Sequence, residues 1–184
     1  MEHDAHPFII MGLGNPDPAL AGTYHNAGLR AVRFLAEHAS RAAGGGVPPP
    51  LKPYKGVFSS VTIGGRTFVF PLVYMNDSGR AAKEALRVFR ATPADLIVVH
   101  DDSDLTIGTF KFVRAGRAAG HNGVRSIIDH LKTEDFFRIR IGIRPEEELR
   151  RRKAGDFVLS PVSAKDKRVL EAVFERLPSA IGLL

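Results

Sequence analysis

Two short runs of nothing but apolar residues, Phe8–Met11 and Leu96–Val99, give way abruptly to polar side chains. Asn15, His25 and Asn26 follow the first run; His100, Asp101 and Asp102 follow the second. An apolar run of this length without alternation is the pattern of a strand buried on both faces. Such strands belong to sheets covered by helices on each side. Ligands of these sheets bind beyond the carboxyl ends of the strands. The chain is thereby directed to an α/β fold, and the polar residues after its buried strands are the first candidates for chemistry.

The remaining periodicities fill in that fold. Leu29, Val32, Leu35, Ala36 and Ala39 predict a helix near Leu29–Ser40. The breaker-rich stretch Gly44–Pro53 reads as a surface loop. Val57–Ile63 and Thr67–Leu72 flank Gly64-Gly65-Arg66, a hairpin signal that makes the sheet mixed rather than all parallel. Ser78 is the expected cap of a helix over Gly79–Phe89, with Ala82, Ala85, Leu86 and Phe89 facing inward. Thr109–Arg114 reads as a half-buried strand, and Val124, Ile127, Ile128 and Leu131 predict a helix starting near Asn122. Phe137–Ile143 alternates apolar residues with Arg138, Arg140 and Gly142. A charged loop over Arg144–Asp156 and a short strand at Phe157–Leu159 come next. Ser163 and Asp166 then suggest a capping box for a final helix with Val169, Leu170, Val173, Phe174 and Leu177 as its apolar stripe. The expected architecture is one domain over 1–184, a twisted mixed β-sheet flanked by helices.

Composition narrows the function classes. The 184 residues include no cysteine, which excludes disulfides, thiolate catalysis and cysteine-ligated zinc. No apolar stretch is long enough to span a bilayer, and MEHDAHPF has neither the character of a secretory signal nor that of a mitochondrial presequence. A formal net charge of +6 suits a polyanionic partner. The basic residues crowd after position 110: Lys111, Arg114, Arg117, Arg125, Lys132, Arg138, Arg140, Arg144 and the run Arg150–Lys153.

Gly12-Leu13-Gly14 after a strand invites a dinucleotide reading, but Asp17 occupies the place of the third glycine and Pro16 stops an immediate helix. More informative is a repeated placement. Asn15 with His25, Asn76, Asp101, and His121 with Asn122 all follow strand ends or enter helices. Each has an ordinary structural role open to it, as a turn residue, a cap or a backbone acceptor. Together they form a coherent hydrolytic set. Asp101 would orient His25, and His25 would take a proton from a water attacking a carbonyl. A neutral amide would donate to the oxyanion. With no cysteine and no serine in a G-x-S-x-G turn, direct attack by water is favoured over a covalent intermediate. Asp101, Asp102 and Asp104 with His25, His100 and His121 form an alternative metal-ligand set, though without H-E-x-x-H spacing. Neither a metal nor a cofactor is expected.

The motifs GLGNP and HNAG (12–16 and 25–28), PLVYMNDSG (71–79), VVHDDSDLTIG (98–108), GHNGVRSI (120–127) and FFRIRIGIRP (136–145) occur in one order. In that order they resemble the bacterial-type peptidyl-tRNA hydrolase family. The resemblance implies hydrolysis of the ester joining a peptide to the terminal ribose of tRNA, without metal or cofactor. It implies His25 as base, Asp101 as orienting carboxylate, and Asn15, Asn76 and Asn122 as amides acting on substrate, water or oxyanion. Tyr74, Met75, His121 and Asn26 fall at substrate-side positions, and Arg140 and Lys111 where the family faces tRNA phosphate. Some positions depart from the pattern: Asp17 stands for glycine, Leu20 for tyrosine, Tyr24 for arginine and Val113 for a basic residue. Arg114 or Arg117 would then replace the lost phosphate contact, although Arg114 should point to the opposite face of its strand. The chain also ends at Leu184, before the family's usual C-terminal segment. A monomer working in the cytoplasm, or in a mitochondrion, is the expected form. A non-catalytic RNA-binding protein on the same scaffold is the alternative, and the complete base–carboxylate–amide set favours the enzyme.

Overall fold

Hydrogen bonding joins the apolar runs into one seven-stranded sheet in a computed structural model that describes residues 8–145 and 154–182. The strands are β1 (Ile9–Gly12), β2 (Lys52–Tyr54), β3 (Phe58–Ile63), β4 (Arg66–Pro71), β5 (Leu96–Thr106), β6 (Phe110–Arg114) and β7 (Phe137–Arg144). Their spatial order is β2-β3-β4-β1-β5-β7-β6. The central strands β4, β1, β5 and β7 run parallel, and β2, β3 and β6 pair antiparallel at the two edges. The mixed sheet expected from the hairpin is therefore present. Its turn is Gly64-Gly65, both at positive φ (55° and 75°), as a two-residue turn between right-twisted strands demands.

Among the described residues, five α-helices pack around the sheet: α1 (Ala27–Ala42), α2 (Ser78–Phe89), α3 (Asn122–Leu131), α4 (Ala154–Val158) and α5 (Ala164–Ala180). One core joins α1 and α5 to one face through Leu35, Val32, Leu170, Phe174 and Leu177. The other joins α2 and α3 to the opposite face through Ala82, Ala85, Val124 and Ile127. Ile9, Met11, Leu96, Val98 and Val99 are fully buried between the helical layers, the environment their unbroken apolar character requires. No helix among the described residues is long and apolar enough to cross a membrane.

Several expectations are corrected. Phe157–Leu159 is not a strand: Phe157 and Val158 end the short helix α4. Three apolar residues cannot distinguish the two states, and tertiary packing chose. Phe157 lies between the Tyr24 ring (4.5 Å, stacked) and the Arg144 guanidinium (5.8 Å). Ser78 is the first residue of α2 rather than its cap; its hydroxyl donates to Met75 O at 2.8 Å, and Asp77 holds the cap position. Lys52–Tyr54 leaves the expected loop to form the edge strand β2, a position that tolerates Pro53. Ser163 does cap α5, accepting from the Asp166 N–H at 3.0 Å, while the Asp166 carboxylate accepts the Tyr24 hydroxyl. Most of the predicted charged loop, including Arg150–Lys153, lies outside the described residues.

Gly12 is needed for close approach rather than for a turn. A Cβ there would lie 2.6 Å from Gly28 O, and a Cβ on Gly28 would lie 2.3 Å from Val99 O. These two contacts let the start of α1 sit directly on β1 and β5.

Candidate active site

The seating of α1 brings His25 over the end of β5. Residues 24–26 form a single 3-10 turn running into α1. The segment before it is pinned by strand-like bonds, Tyr24 N–H to Ser160 O (3.3 Å) and Val162 N–H to Gly22 O (2.9 Å). His25 Nδ1 then lies 2.9 and 3.0 Å from the two carboxylate oxygens of Asp101. His121, in the cap position of α3, presents Nε2 to the same carboxylate at 3.0 Å. Asp101 thus bridges two imidazoles brought in from opposite helical layers.

Hydrogen bonding assigns the protons. His121 Nδ1 accepts the Val124 N–H at 3.2 Å, so His121 carries its proton on Nε2 and donates it to Asp101. A carboxylate is acceptor-only, so His25 donates from Nδ1 and its Nε2 is left with a free lone pair. Burial opposes charge on Asp101, but the attraction and hydrogen bonds of His121 and His25 outweigh it and hold the carboxyl well below the usual carboxylate range. The site therefore contains a fixed anion behind an imidazole whose outer nitrogen is free to accept a proton.

Three amides line the cleft that His25 enters. Asn15 Oδ1 accepts the Met75 N–H at 2.9 Å, which orients the amide and leaves its NH2 as the open group. Asn26 clamps the Asn15 backbone from both sides, Oδ1 accepting the N–H at 2.8 Å and Nδ2 donating to the carbonyl at 3.0 Å. Asn26 is buried, and both ends of its amide are committed to the Asn15 backbone. Asn76 and Asn122 are exposed, and both line the cleft that holds Asn15, His25, Met75 and the largely exposed Tyr74. Met75 itself is buried, its sulfur 2.5 Å from where a Cβ on Gly123 would stand. Val158 and Leu159, at the end of α4 and just beyond it, complete the cleft wall. A second cleft, sharing His25, Asn122 and Val158, runs along Asp101, Asp102 and the loop before α3.

The basic candidates divide between two faces. Lys111 and Arg140 are opposite each other in the β6–β7 register and so share a face. Arg114 pairs with Phe137 instead, on the other face, and makes a two-point ion pair with Asp135 at 2.7 and 3.0 Å. The structure thus separates Arg114 from the surface with which it was grouped. Arg117 is exposed on the loop after β6, its carbonyl accepting from Arg138 Nη1 at 2.9 Å.

Some bonding roles escape the sequence reading, which offers His100 and Asp102 only as metal ligands. His100 donates Nδ1–H to the Asp101 carbonyl at 2.7 Å and meets His121 edge-on at 4.7 Å. Asp102 accepts Arg140 Nε at 2.5 Å. Strand alternation past Val99 was the available signal, since it sends Asp101 and Asp102 to opposite sides. Tyr24, noted only as a departure, carries α4 on its ring, and burial with the adjoining Asp166 pushes its pKa up to about 12.

Among the described residues, His25, Asp101 and His121 are the grouping close enough to hold a metal ion, with ligand atoms within 4.8 Å of one another. Their hydrogen bonds do not suit one. His25 Nδ1 and His121 Nε2 both carry protons toward Asp101, whereas a ligating nitrogen must be unprotonated.

Comparison with known proteins points to one family. The sequence profile of the family described as peptidyl-tRNA hydrolase matches residues 9–184. A peptidyl-tRNA hydrolase of Mycolicibacterium gilvum is 34% identical over 186 residues, covering 98% of this chain and 91% of the relative. That of Geobacter metallireducens is 38% identical over 179 residues, covering 96% and 87%. The crystal structure of the Acinetobacter baumannii peptidyl-tRNA hydrolase superposes with a TM-score of 0.79 at 28% identity, covering 100% of this chain and 91% of that one.

Proposed function

The chain belongs to the peptidyl-tRNA hydrolase family and hydrolyses the ester between peptide and tRNA, and we propose that His25 is its general base. The observation that carries this assignment is the Asp101 carboxylate against Nδ1, which leaves Nε2 as the free nitrogen of the ring.

His25 Nε2 takes a proton from water, and the water oxygen bonds to the ester carbonyl carbon. Asp101 stabilises the imidazolium as it forms. Charge gathers on the carbonyl oxygen, where neutral amide donors can meet it; Asn15, Asn76 and Asn122 are the candidates around the cleft. The intermediate collapses by breaking the bond to the ribose oxygen, which recovers the proton from His25. Free peptide and tRNA leave. Tyr74 and Met75 bound the peptide side, and His121 stiffens Asp101. Arg140 and Lys111 face tRNA phosphate from the β6–β7 edge of the sheet, and Arg117, exposed on the loop after β6, adds to the basic surface. A monomer in the cytoplasm is the form we propose to act.

Cleavage of an N-blocked aminoacyl-tRNA tests the assignment. His25→Ala should lower kcat by about 10²–10⁴-fold, the usual worth of general base catalysis. Near-normal turnover by that variant would remove His25 from the role.

A further inference from the structure

We propose that Asp102 is the positioning residue of the phosphate-facing surface: it fixes the Arg140 guanidinium through Nε and leaves both Nη groups free for an anionic oxygen pair. The inference rests on the reading of Arg140 as a tRNA contact and adds the group that makes it effective.

The carboxylate is itself held. Asp102 is 7% exposed, and its Oδ1 accepts the Asp104 N–H at 2.9 Å. Its other oxygen takes Arg140 Nε at 2.5 Å. An arginine bound through Nε alone has its long side chain oriented while its forked end remains open. Among the described residues, no hydrogen bond occupies the Nη atoms of Arg140. Lys111 stands directly opposite on β6, exposed and on the same face, so a point cation and an oriented fork lie side by side. That pair suits a phosphate, which accepts bidentate arginine and tolerates a lysine as a point charge.

The strand makes the arrangement more than a local ion pair. Asp101 and Asp102 are consecutive residues of β5 and leave it on opposite sides. One holds the imidazole that meets the ester, and the next holds the guanidinium that meets the tRNA backbone. The two ends of the substrate are therefore gripped from adjacent positions of one buried strand.

Two effects of Asp102 oppose each other, which makes its test decisive. As an anion beside Arg140 it weakens the attraction for phosphate; as an anchor it removes the disorder of a long side chain. The proposal requires anchoring to win. Asp102→Ala should raise KM for N-blocked aminoacyl-tRNA by about 5- to 20-fold, change kcat less than about twofold, and reduce the salt slope of binding by about one. Asp102→Glu should recover most of the loss. Asp102→Asn, which keeps the shape and a neutral acceptor, should lie between them and covers the case in which the alanine variant fails to fold. In an Arg140→Ala background, Asp102→Ala should add nothing further.

Tighter tRNA binding by Asp102→Ala or Asp102→Asn would overturn the proposal and make Asp102 an electrostatic brake. So would an unchanged KM, a kcat loss equal to the KM rise, or full additivity with Arg140→Ala. If Arg140→Ala alone leaves KM and salt slope unchanged, the phosphate reading itself fails. If Arg140→Ala weakens binding and the Asp102 variants do not, only the role of Asp102 fails.

Discussion

Asp101 shows how much one buried side chain can organise. Its carboxylate accepts from His25 and His121, and its own backbone carbonyl accepts from His100. Because its carboxyl is held well below the usual range, it stays ionised wherever the protein is folded and active. The rate profile should therefore show no inflection from Asp101 between about pH 4 and 9. Asp101→Asn, which allows the wrong imidazole tautomer, should lower kcat severely while leaving tRNA binding nearly intact. His100 carries a different consequence. Burial, followed by the facing His121, holds it well below the imidazole range, against the smaller opposing pull of Asp101. Its folded-state pKa is thus below the unfolded value of about 6.5, so the unfolded chain binds the proton first. The stability tied to a neutral His100 is complete above about pH 6.5 and falls with acidification by at most about 1.4 kcal/mol per pH unit. Urea titrations of His100→Asn should show a shallower loss of stability between pH 6.5 and 5 than the parent; an identical slope would clear His100 of that role. The residue types of this network were legible in the chain, because His25, Asp101 and Asn15 each follow a buried strand. Their bonding was not, because the tautomer of His121 depends on a cap geometry that only folding creates.

At the scale of elements, the site depends on how closely α1 approaches the sheet. Gly28 packs against Val99 O and Gly12 against Gly28 O, with backbone on both sides of each contact. Gly28→Ala should therefore destabilise the fold by about 1–3 kcal/mol and lower turnover, since His25 stands three residues earlier. Gly22→Ala, where a Cβ meets nothing within 4 Å, is the matching control and should be close to neutral in denaturant midpoint. The glycines were visible in the sequence, but the close helix–strand approach that requires Gly12 was not, because Gly12 lies within a strand and not at positive φ. The same limit explains α4. Phe157, Val158 and Leu159 carry no period of their own, and the Tyr24 ring and Arg144 guanidinium that receive Phe157 are remote in sequence. Long, strongly patterned segments such as α5 were read correctly, because a full apolar stripe admits one solution.

At the scale of the whole molecule, the basic excess has a direction that composition does not show. Arg140→Ala should weaken tRNA binding and reduce its salt slope by about one, whereas Arg114→Ala should leave the slope unchanged. Arg114 lies on the opposite face of β6 from Lys111 and is engaged with Asp135. Measured affinities across a salt series separate the two outcomes. Hydrolysis should also persist in EDTA, because the protons on His25 and His121 occupy the nitrogens a metal would need; activity lost on chelation and restored by magnesium would contradict this. The sequence by itself determined the α/β class, the family and the residue types that gather at the strand ends. Buried strands, amide-bearing loops and helical stripes are local patterns, each complete within a few consecutive residues. Tertiary structure alone decided that Asp101 serves two imidazoles, that the Asn26 amide clamps the Asn15 backbone, and that Asp102 faces Arg140. Those outcomes depend on strand register and on the depth at which α1 settles, and both are set by packing between residues far apart in the chain.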